Sequence, residues 1–283
     1  MEHIGKEMEK MKQKLKDSGE LQSKKGLSQE KNKILKSTSN CPYGNCDGSG
    51  MVLDAETNTA TLCKCYYDQI INKKLEFANI PENFKELTIN SFRTDLYEKP
   101  ESRQKAMVVK KMAANYVKNF EIFQEEGKGL YLYSNTKGSG KTRMAISIGN
   151  ALMKVKRMGV KYTTTMDLLD EIKKTFDKDS EITESEPINS IRKVDVLILD
   201  DVGVENPTPW VKSIFYSILD GRMDNNKITI FTSNLSMGEL NHDDRLKSRI
   251  EKMAIPMEFP EESIRSKIAK TENVELQRLL LEG

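Results

Sequence analysis

The chain has 283 residues, enough for one large domain or for two smaller ones that each bury a core. Its 45 basic and 43 acidic side chains leave a formal charge of +2, so net charge does not indicate a nucleic-acid-binding protein. The lysine-rich N-terminus lacks an apolar signal region, and no apolar run is long enough to span a membrane. We therefore expect a cytoplasmic protein with no membrane-bound part.

The first 40 residues combine an amphipathic pattern with a polar stretch. Residues 3–17 predict a charged helix with one apolar stripe. The positions of this stripe are Ile4, Met8, Met11 and Leu15. Residues 18–38 are polar and typical of a linker. The stripe packs on its own domain or docks on a partner, and the pattern leaves both readings open.

All four cysteines of the chain lie close together, at Cys41, Cys46, Cys63 and Cys65. The residues between the two pairs predict a hairpin, with strands at Met51–Leu53 and Thr59–Leu62. In a reducing cytosol such clustering favours a metal site over disulfides. Four thiolates at the base of a hairpin suit tetrahedral Zn²⁺. Unliganded thiols are the main alternative, and an iron–sulfur cluster is a more distant one.

Helices and an irregular stretch follow the cysteines. Tyr66–Phe77 predicts a helix that ends before Pro81, and Pro100–Phe123 predicts a second one. The apolar side of the second helix is assigned to Met107, Val108, Met112, Ala113, Tyr116, Val117 and Phe120. The intervening residues are mostly irregular, with Phe84, Leu87, Ile89 and Phe92 as apolar anchors that could cover a nucleotide base.

A short apolar strand at Leu130–Tyr133 leads into a glycine-bearing turn and then into a helix, the order that a phosphate-binding loop requires. The predicted nucleotide-binding residues of this loop are Gly138, Ser139, Gly140, Lys141, Thr142 and Arg143. Backbone N–H groups would hold the phosphates, Lys141 would reach the outer ones, and the Thr142 hydroxyl would bind Mg²⁺. Asn135 stands where the pattern has its first glycine. Because asparagine tolerates left-handed backbone, we interpret it as a cost in fit and not as loss of the site.

Strands and helices alternate after residue 127. Strands are predicted at Leu130–Tyr133, Val160–Thr164, Val194–Leu199, Ile228–Thr232 and Met253–Phe259. Helices are predicted at Thr142–Arg157, Met166–Phe176 and Pro209–Arg222, and in pieces over Leu235–Lys252. This alternation indicates a parallel sheet covered by helices on both faces. Pro256 predicts that the last strand lies at a sheet edge.

Polar residues end two of these strands. Asp200 and Asp201 follow an apolar run, and the C-terminal ends of parallel strands face the ligand crevice. Asp200 suits a Mg²⁺ partner, and Asp201 suits the group that polarises the attacking water, with Glu205 as a weaker candidate. Asn234 ends the next strand and could orient that water, although asparagine is also a common turn residue.

Four motifs in this order carry a family resemblance: Gly-x-Gly-Lys-Thr, Leu-Ile-Leu-Asp-Asp-Val-Gly-x-Glu, Thr-Ser-Asn-Leu-Ser-x-x-Glu-Leu and Leu-Lys-Ser-Arg-Ile. Over residues 78–270 the chain resembles the AAA+ ATPases of the DnaC/DnaI/IstB type, bacterial and phage loaders of the replicative helicase. The resemblance implies an α/β fold, a P-loop NTPase with a five-stranded parallel sheet sandwiched by helices. A small zinc-binding module and helices would precede it.

The resemblance also assigns roles to residues. It implies that ATP and Mg²⁺ bind, that Asn234 is the sensor-1 residue and that Arg265 is the sensor-2 residue. Arg249 would be the arginine finger that completes a neighbouring subunit's site, with Arg245 as a rival four residues earlier. The catalytic set is then Asp201, Asn234, Arg249 and Arg265. Because Asp201 is shorter than the glutamate of many AAA+ proteins, slow turnover is expected.

The implied division of the chain is a helicase-interaction region at residues 1–76, with its zinc module at 41–65, and an AAA+ domain at 77–283. The implied partners are a DnaB-type helicase, single-stranded DNA and further copies of the chain. Candidate DNA contacts are Lys173, Lys174, Lys178 and Phe176, although a solvated helix end fits them equally. Two alternatives stay open. One is a transposition helper ATPase, and the other is a weakly hydrolysing adaptor or inhibitor of a helicase or loader.

Overall fold

The fold was analysed in a computed structural model that describes residues 41–54, 59–174 and 185–282. The helices and strands in chain order are β1 (Met51–Asp54), β2 (Thr59–Leu62), α1 (Lys64–Phe77), α2 (Pro100–Lys118), α3 (Phe120–Glu125), β3 (Gly129–Tyr133), α4 (Lys141–Lys156), β4 (Val160–Thr164), α5 (Thr165–Lys174), α6 (Ser185–Lys193), β5 (Val196–Val202), α7 (Pro209–Met223), β6 (Ile228–Ser233), α8 (Asp244–Met253), β7 (Ala254–Glu258) and α9 (Ile264–Glu282). The predicted stripe at residues 3–17, the linker, Phe176 and Lys178 lie outside the described residues.

Five strands form one sheet in the order β4-β5-β6-β3-β7, and all the pairings are parallel. This confirms the predicted α/β class with a five-stranded parallel sheet. β7 lies at one edge, as Pro256 required, since proline cannot donate to a second neighbouring strand. β4 lies at the other edge, where the N–H of Tyr162 donates to O of Ala78 across 2.7 Å.

The central strands β3, β5 and β6 are mostly apolar and buried because helices cover both faces of the sheet. On one face Leu130, Leu132 and Ile198 pack with α2 and α4. On the other face Tyr131 and Leu199 pack with α5, α6, α7 and α8. Successive side chains therefore enter opposite cores, and the strands cannot show the alternation of a half-exposed sheet.

Side chains cap the starts of two helices. The Thr208 hydroxyl accepts a hydrogen bond from N of Val211 at the start of α7. Ser236 and Glu239 form a capping box on a short 3₁₀ helix. In both cases a side chain satisfies an N–H group that has no partner within its own helix.

The predicted helix over Pro100–Phe123 is two helices, because the chain breaks at Asn119. Its predicted apolar side is partly wrong. Met107, Val108 and Met112 are exposed, whereas the buried residues of α2 are Ser102, Ala106, Val109, Ala113, Tyr116 and Val117. The pattern mixed two faces, since several apolar residues here are consecutive.

Two further differences concern element bounds. β5 begins at Val196 instead of Val194 and continues through the two aspartates to Val202. Asp195 precedes it, and its carboxylate accepts from the N–H of Gly159 and from Nζ of Lys227.

The sequence did not predict α6 or α9, because α6 is short and α9 is mostly exposed. Within the described part of the chain, no helix combines the length and the apolarity that crossing a bilayer would demand.

Candidate functional site

The loop at residues 134–140 turns tightly between β3 and α4. Gly138 and Gly140 have φ values of 78° and 96°, the left-handed region that suits glycine. A Cβ at Gly140 would lie 2.9 Å from Cε2 of Phe92, and one at Gly138 would lie 2.9 Å from Cβ of Arg265. Both glycines are therefore required by conformation and by space. Because α4 begins at once after Gly140, its positive end faces the loop, as anion binding needs.

Asn135, in place of the first loop glycine, has ordinary backbone. Within the described ranges, the non-glycine residues with positive φ are Asn79, Arg157, Asp201 and Asn226. Asn135 therefore does not adopt the left-handed backbone that asparagine would tolerate. Its N–H donates to Oε1 of Glu261 across 2.9 Å, and the Thr136 hydroxyl donates to Oε2 of Glu261 across 2.7 Å. Glu261 thus fastens the start of the loop, a contact that the sequence did not indicate.

The Lys141 side chain lies at the floor of the loop and is only 5% exposed. Its Nζ donates to O of Ser134 and O of Thr136 at 3.1 Å each, and to Oδ1 of Asn234 at 3.0 Å. Burial lowers the pKa of this ammonium, and the charge of Asp201 opposes that shift. The ammonium is thereby presented where the loop would hold the outer phosphates of a nucleotide.

Asp200 is buried at the end of β5 and receives hydroxyl groups from three elements. The Thr142 hydroxyl is 2.9 Å from Oδ1, and the Tyr162 hydroxyl is 2.9 Å from Oδ2. The Thr232 hydroxyl also donates to Oδ1. Thr142 and Asp200 together offer the oxygen donors that a hard cation such as Mg²⁺ takes, beside the phosphate loop. Sequence reasoning missed Tyr162, since a tyrosine within an apolar strand reads as core.

Asp201 is presented by an irregularity in the sheet. The β5–β6 register shifts between Leu199 and Val202, and Asp201 has φ of 56°, which is unusual for a non-glycine residue. Its N–H donates to Oγ1 of Thr232 across 3.0 Å instead of joining the regular ladder. Burial raises the pKa of Asp201, and the charge of neighbouring Asp200 raises it further. The bulge therefore directs two consecutive residues to the same cleft.

Glu205, the weaker candidate for the water-polarising acid, is buried elsewhere. It accepts from the N–H of Gly203 at 2.8 Å, and its Oε1 lies 2.5 Å from Nε2 of His242. Both side chains of the Glu205–His242 pair are 1% exposed, and neither lines the nucleotide cleft. Glu205 therefore fixes the turn after β5, which removes it as a stand-in for Asp201.

These groups meet in one cleft of about 630 Å³, a size that accommodates a nucleotide. The loop, Asp200, Asp201 and Asn234 form its polar wall. Arg265 enters from the start of α9, where its N–H donates to O of Gly138 across 3.3 Å. The loop and four other predicted groups, Asp200, Asp201, Asn234 and Arg265, thus face one cleft.

The irregular segment before α2 supports the loop and lines part of the cleft. The Tyr97 hydroxyl donates to O of Ser139 across 2.7 Å, and Phe92 packs against Gly140. Phe84, Ile264 and Ile268 also line this cleft, so it has apolar side chains in addition to the phosphate site. Arg143 also lines the cleft, and its Nη2 lies 3.4 Å from Oγ of Ser91. Of the predicted anchors, Phe84 is the one in a position to touch a base.

Arg249 lies outside this cleft, on α8. Its Nε is 2.5 Å from Oδ1 of Asp220 and its Nη2 is 3.2 Å from Oδ2. The hydrogen bond to Asp220 raises the pKa of Arg249. Arg245, the rival finger residue, lines the same surface depression as Arg249. Neither arginine is brought to the nucleotide cleft of its own chain.

The four cysteines converge at the base of the β1–β2 hairpin, and their Sγ atoms all lie within 4.8 Å of one another. The Sγ atoms of Cys41 and Cys63 are 3.7 Å apart, and those of Cys46 and Cys65 are 3.3 Å apart. Thiolates around one tetrahedral Zn²⁺ at about 2.3 Å stand roughly 3.8 Å apart, so the cluster fits a single ion. Burial opposes ionisation of Cys41, but backbone N–H groups of its loop lower its pKa to about 6.

Of the candidate DNA contacts, Lys173 and Lys174 lie in the last turn of α5. Nζ of Lys173 is 5.4 Å from the ring centroid of Trp210, a cation–π distance. This contact joins a basic group to an aromatic face on the surface of the domain, although Lys178 and Phe176 fall in the part of the chain that is not described.

Comparisons with known proteins agree with this geometry. Residues 114–250 match the family model "IstB-like ATP binding protein". The chain is similar to the replicative helicase loader DnaC of Buchnera aphidicola subsp. Baizongia pistaciae, with 29% identity over 58% of this chain and 64% of that protein. It is also similar to the replicative helicase loader DnaI of Bacillus subtilis, with 35% identity over 45% of this chain and 40% of that protein. The chain thus spans less than two thirds of the length of these relatives.

The fold comparison adds a solved structure of DnaI, with a TM-score of 0.51, 29% identity, and coverage of 64% of this chain and 94% of that one. The predicted resemblance to the DnaC/DnaI/IstB group is confirmed, as is the P-loop fold. Residues 114–250 thus match an IstB-like ATP-binding domain, and the fold is similar to that of DnaI.

Proposed function

We propose that this chain is an ATP-dependent loader that places a replicative DNA helicase on single-stranded DNA. The observation that carries the proposal is that the predicted finger Arg249 lies apart from the cleft that holds the other predicted groups. The cleft gathers the phosphate loop, both aspartates, Asn234 and Arg265, whereas Arg249 lies on another surface. The names of the relatives supply the process, since several are replicative helicase loaders.

Within the cleft each group has one role. The loop N–H groups and Lys141 bind the phosphates, and Thr142 and Asp200 hold Mg²⁺, which neutralises charge on the phosphates when bound. Asp201 polarises the attacking water, and Asn234 orients it. Arg265 neutralises charge at the γ-phosphate. Because Asp201 is a short acid, we propose slow turnover, as suits a switch.

The remaining predicted group, Arg249, comes from a second copy of the chain. Arg249 would enter the neighbour's cleft and stabilise charge that develops in the transition state. Hydrolysis would then depend on assembly, because an isolated subunit lacks this cation in its own cleft. Arg249→Ala should abolish assembly-dependent hydrolysis and spare ATP binding. Mixing it with Lys141→Ala should restore some activity, since each variant can supply what the other lacks.

We assign residues 1–76 to helicase docking and residues 77–283 to the ATPase domain. The four cysteines would hold one Zn²⁺, which supplies folding energy to a module too small to have much core of its own. Lys173 and Trp210 are proposed contacts for single-stranded DNA, because base stacking and phosphate attraction need such a pair.

The test is co-purification with the host's replicative helicase, with and without ATP, followed by loading onto circular single-stranded DNA. We expect an ATP-dependent complex that delivers helicase to the circle. Lys141→Ala, which removes the phosphate-binding ammonium, should fail to deliver it. Lys154→Ala on the same helix, whose Nζ pairs with Glu86 on the surface at 3.5 Å, is the matched control. A protein that binds no helicase under either condition would refute the loader role.

A transposition helper ATPase is the second candidate, favoured by the match to an IstB-like family model. It predicts binding to duplex DNA and to a transposase in place of a helicase. The four-cysteine cluster supports the loader instead, since the resemblance to helicase loaders implies a zinc-binding module before the ATPase domain. Binding measured side by side on duplex and single-stranded DNA separates the two.

A further inference from the structure

Asp220 and Arg249 form a two-pronged ion pair between α7 and α8. The Arg249 Nε and Nη2 atoms donate to the two oxygens of Asp220, at 2.5 and 3.2 Å. Its Nη1 donates to O of Arg245 at 3.2 Å. The guanidinium lies 4.8 Å from the ring centroid of Tyr216, which covers one of its faces. The two hydrogen bonds to Asp220, the Tyr216 ring and the Arg245 carbonyl together fix the orientation of the Arg249 side chain.

This pair lies on an open, positively charged surface. A depression of about 420 Å³ is lined by Met223, Asp244, Arg245, Ser248, Arg249 and Lys252, three cations against one acid. The side chains of Arg249 and Asp220 are 29% and 39% exposed. The arginine is therefore accessible to an anionic group on another molecule, but its two aligned N–H groups already face a carboxylate.

We infer that Asp220 is a positioning residue that keeps Arg249 bound within its own chain. A second copy of the chain must displace Asp220 before Arg249 can reach that copy's nucleotide. The inference rests on the proposed action of Arg249 between subunits. A phosphoryl oxygen pair and a carboxylate compete for the same fork of N–H donors, since both match guanidinium geometry. Tyr216 can stay under the guanidinium during the exchange, because it contacts the ring face and not the N–H edge.

The consequence is an assembly threshold. Each interface that forms exchanges the Asp220 pair for contacts with the neighbour's phosphates, so the pair weakens assembly. A partly exposed ion pair shifts such an equilibrium by about two- to fivefold. Removing the carboxylate should therefore let the chain assemble and hydrolyse ATP at lower protein concentration, without changing the rate of an assembled site.

The experiment measures ATP hydrolysis per subunit against protein concentration for the full chain and for Asp220→Asn. We expect the half-maximal protein concentration to fall about two- to fivefold, with the same plateau rate. In sedimentation experiments with ATP, the protein concentration at which half of the chain is assembled should fall by the same factor. Asp224→Asn is the control, because it removes an equal charge from an exposed residue next to the end of α7. That control should leave both curves unchanged.

Three results separate the possible failures. An unchanged or higher half-maximal concentration in Asp220→Asn would overturn the inference. A lower plateau rate would also overturn it, since Asp220 would then orient the finger productively. Asp220→Ser, compared at a temperature well below each variant's Tm, repeats the test if the first variant folds poorly. Arg249→Ala tests the proposed function separately, because assembly-dependent hydrolysis that survives this change would refute the finger itself.

Discussion

The Tyr162 side chain joins the β4 edge to the proposed magnesium acid. Its hydroxyl donates to Oδ2 of Asp200 across 2.9 Å, while its backbone N–H donates to O of Ala78 across 2.7 Å. Ala78 directly follows α1, the helix that begins beside the cysteine cluster. One residue thus contacts both the chain that leads from the N-terminal module and the carboxylate on the floor of the cleft.

The first prediction concerns that hydroxyl. Tyr162→Phe should weaken Mg²⁺ binding in the presence of ATP about two- to tenfold, because Oδ2 of Asp200 loses its donor and its orientation. Titration of Mg²⁺ at fixed nucleotide, followed by a fluorescent ATP analogue, measures the change. Tyr133→Phe makes the same change in β3 and should have no effect. An unaltered Mg²⁺ titration in Tyr162→Phe would show that Thr142 and Thr232 orient the carboxylate by themselves.

The second prediction concerns the atypical loop position. Asn135→Gly should leave ATP affinity within about twofold, because the residue has negative φ and keeps its N–H bond to Glu261. Glu261→Ala, by contrast, should weaken ATP binding, since two donors at the start of the loop lose their acceptor. Isothermal titration calorimetry of both variants with ATP measures the two affinities. Tight binding by Glu261→Ala would mean that the loop holds its shape without this carboxylate.

The third prediction concerns pH. Asp201 must be ionised to polarise water, and burial raises its pKa. A raised pKa means that the carboxylate takes up a proton at higher pH than a free aspartate. As the pH is lowered, hydrolysis should therefore begin to fall at a pH above the usual aspartate pKa of about 3.9. Asp201→Asn should abolish hydrolysis at every pH and preserve ATP binding. Asp170→Asn, an exposed acid on α5, is the control. Residual hydrolysis with an unchanged acidic limb would assign the role to another group.

The fourth prediction concerns the cysteines. Metal analysis should find about one zinc per chain, and removal of the metal should unfold the hairpin and α1, because the module has little core without it. Cys63→Ser should lose the metal, whereas Ser49→Ala in the same module should retain it. Circular dichroism before and after chelation provides the readout. A metal-free protein with a folded N-terminal region would contradict a zinc site.

The fifth prediction concerns a buried cation. Arg222 is 0% exposed and donates to Thr229 and to carbonyl oxygens of Ile191, Val194 and Ile228. Arg222→Ala should reduce the free energy of unfolding by about 3 kcal/mol or more, because those carbonyls lose their donor inside the core. Arg278→Ala, on the exposed face of α9, should change it by less than about 0.5 kcal/mol. Urea unfolding of both variants, with nucleotide affinity as a check on the fold, would test this.

The sequence by itself determined the elements whose chemistry is local. Phosphate binding needs consecutive N–H groups, a lysine and a hydroxyl, so the pattern at residues 138–142 predicts a phosphate-binding loop. Asp200 and Asp201 are recognisable because an apolar strand that ends in carboxylates has few other uses in a parallel sheet. The alternation of strands and helices predicted the sheet, and Pro256 placed its edge strand.

Only the tertiary structure decided which distant residues meet. Tyr162 and Glu261 are ordinary by type and carry no pattern, and they act because the β4 edge and the β7–α9 connection approach the loop. Asp201 depends on a bulge, which follows from pairing with β6 and not from local propensity. The contact of Asp220 with Arg249 joins residues 29 positions apart. Contacts between separate elements are set by packing of the whole sheet and its helices, and a single sequence does not specify them position by position.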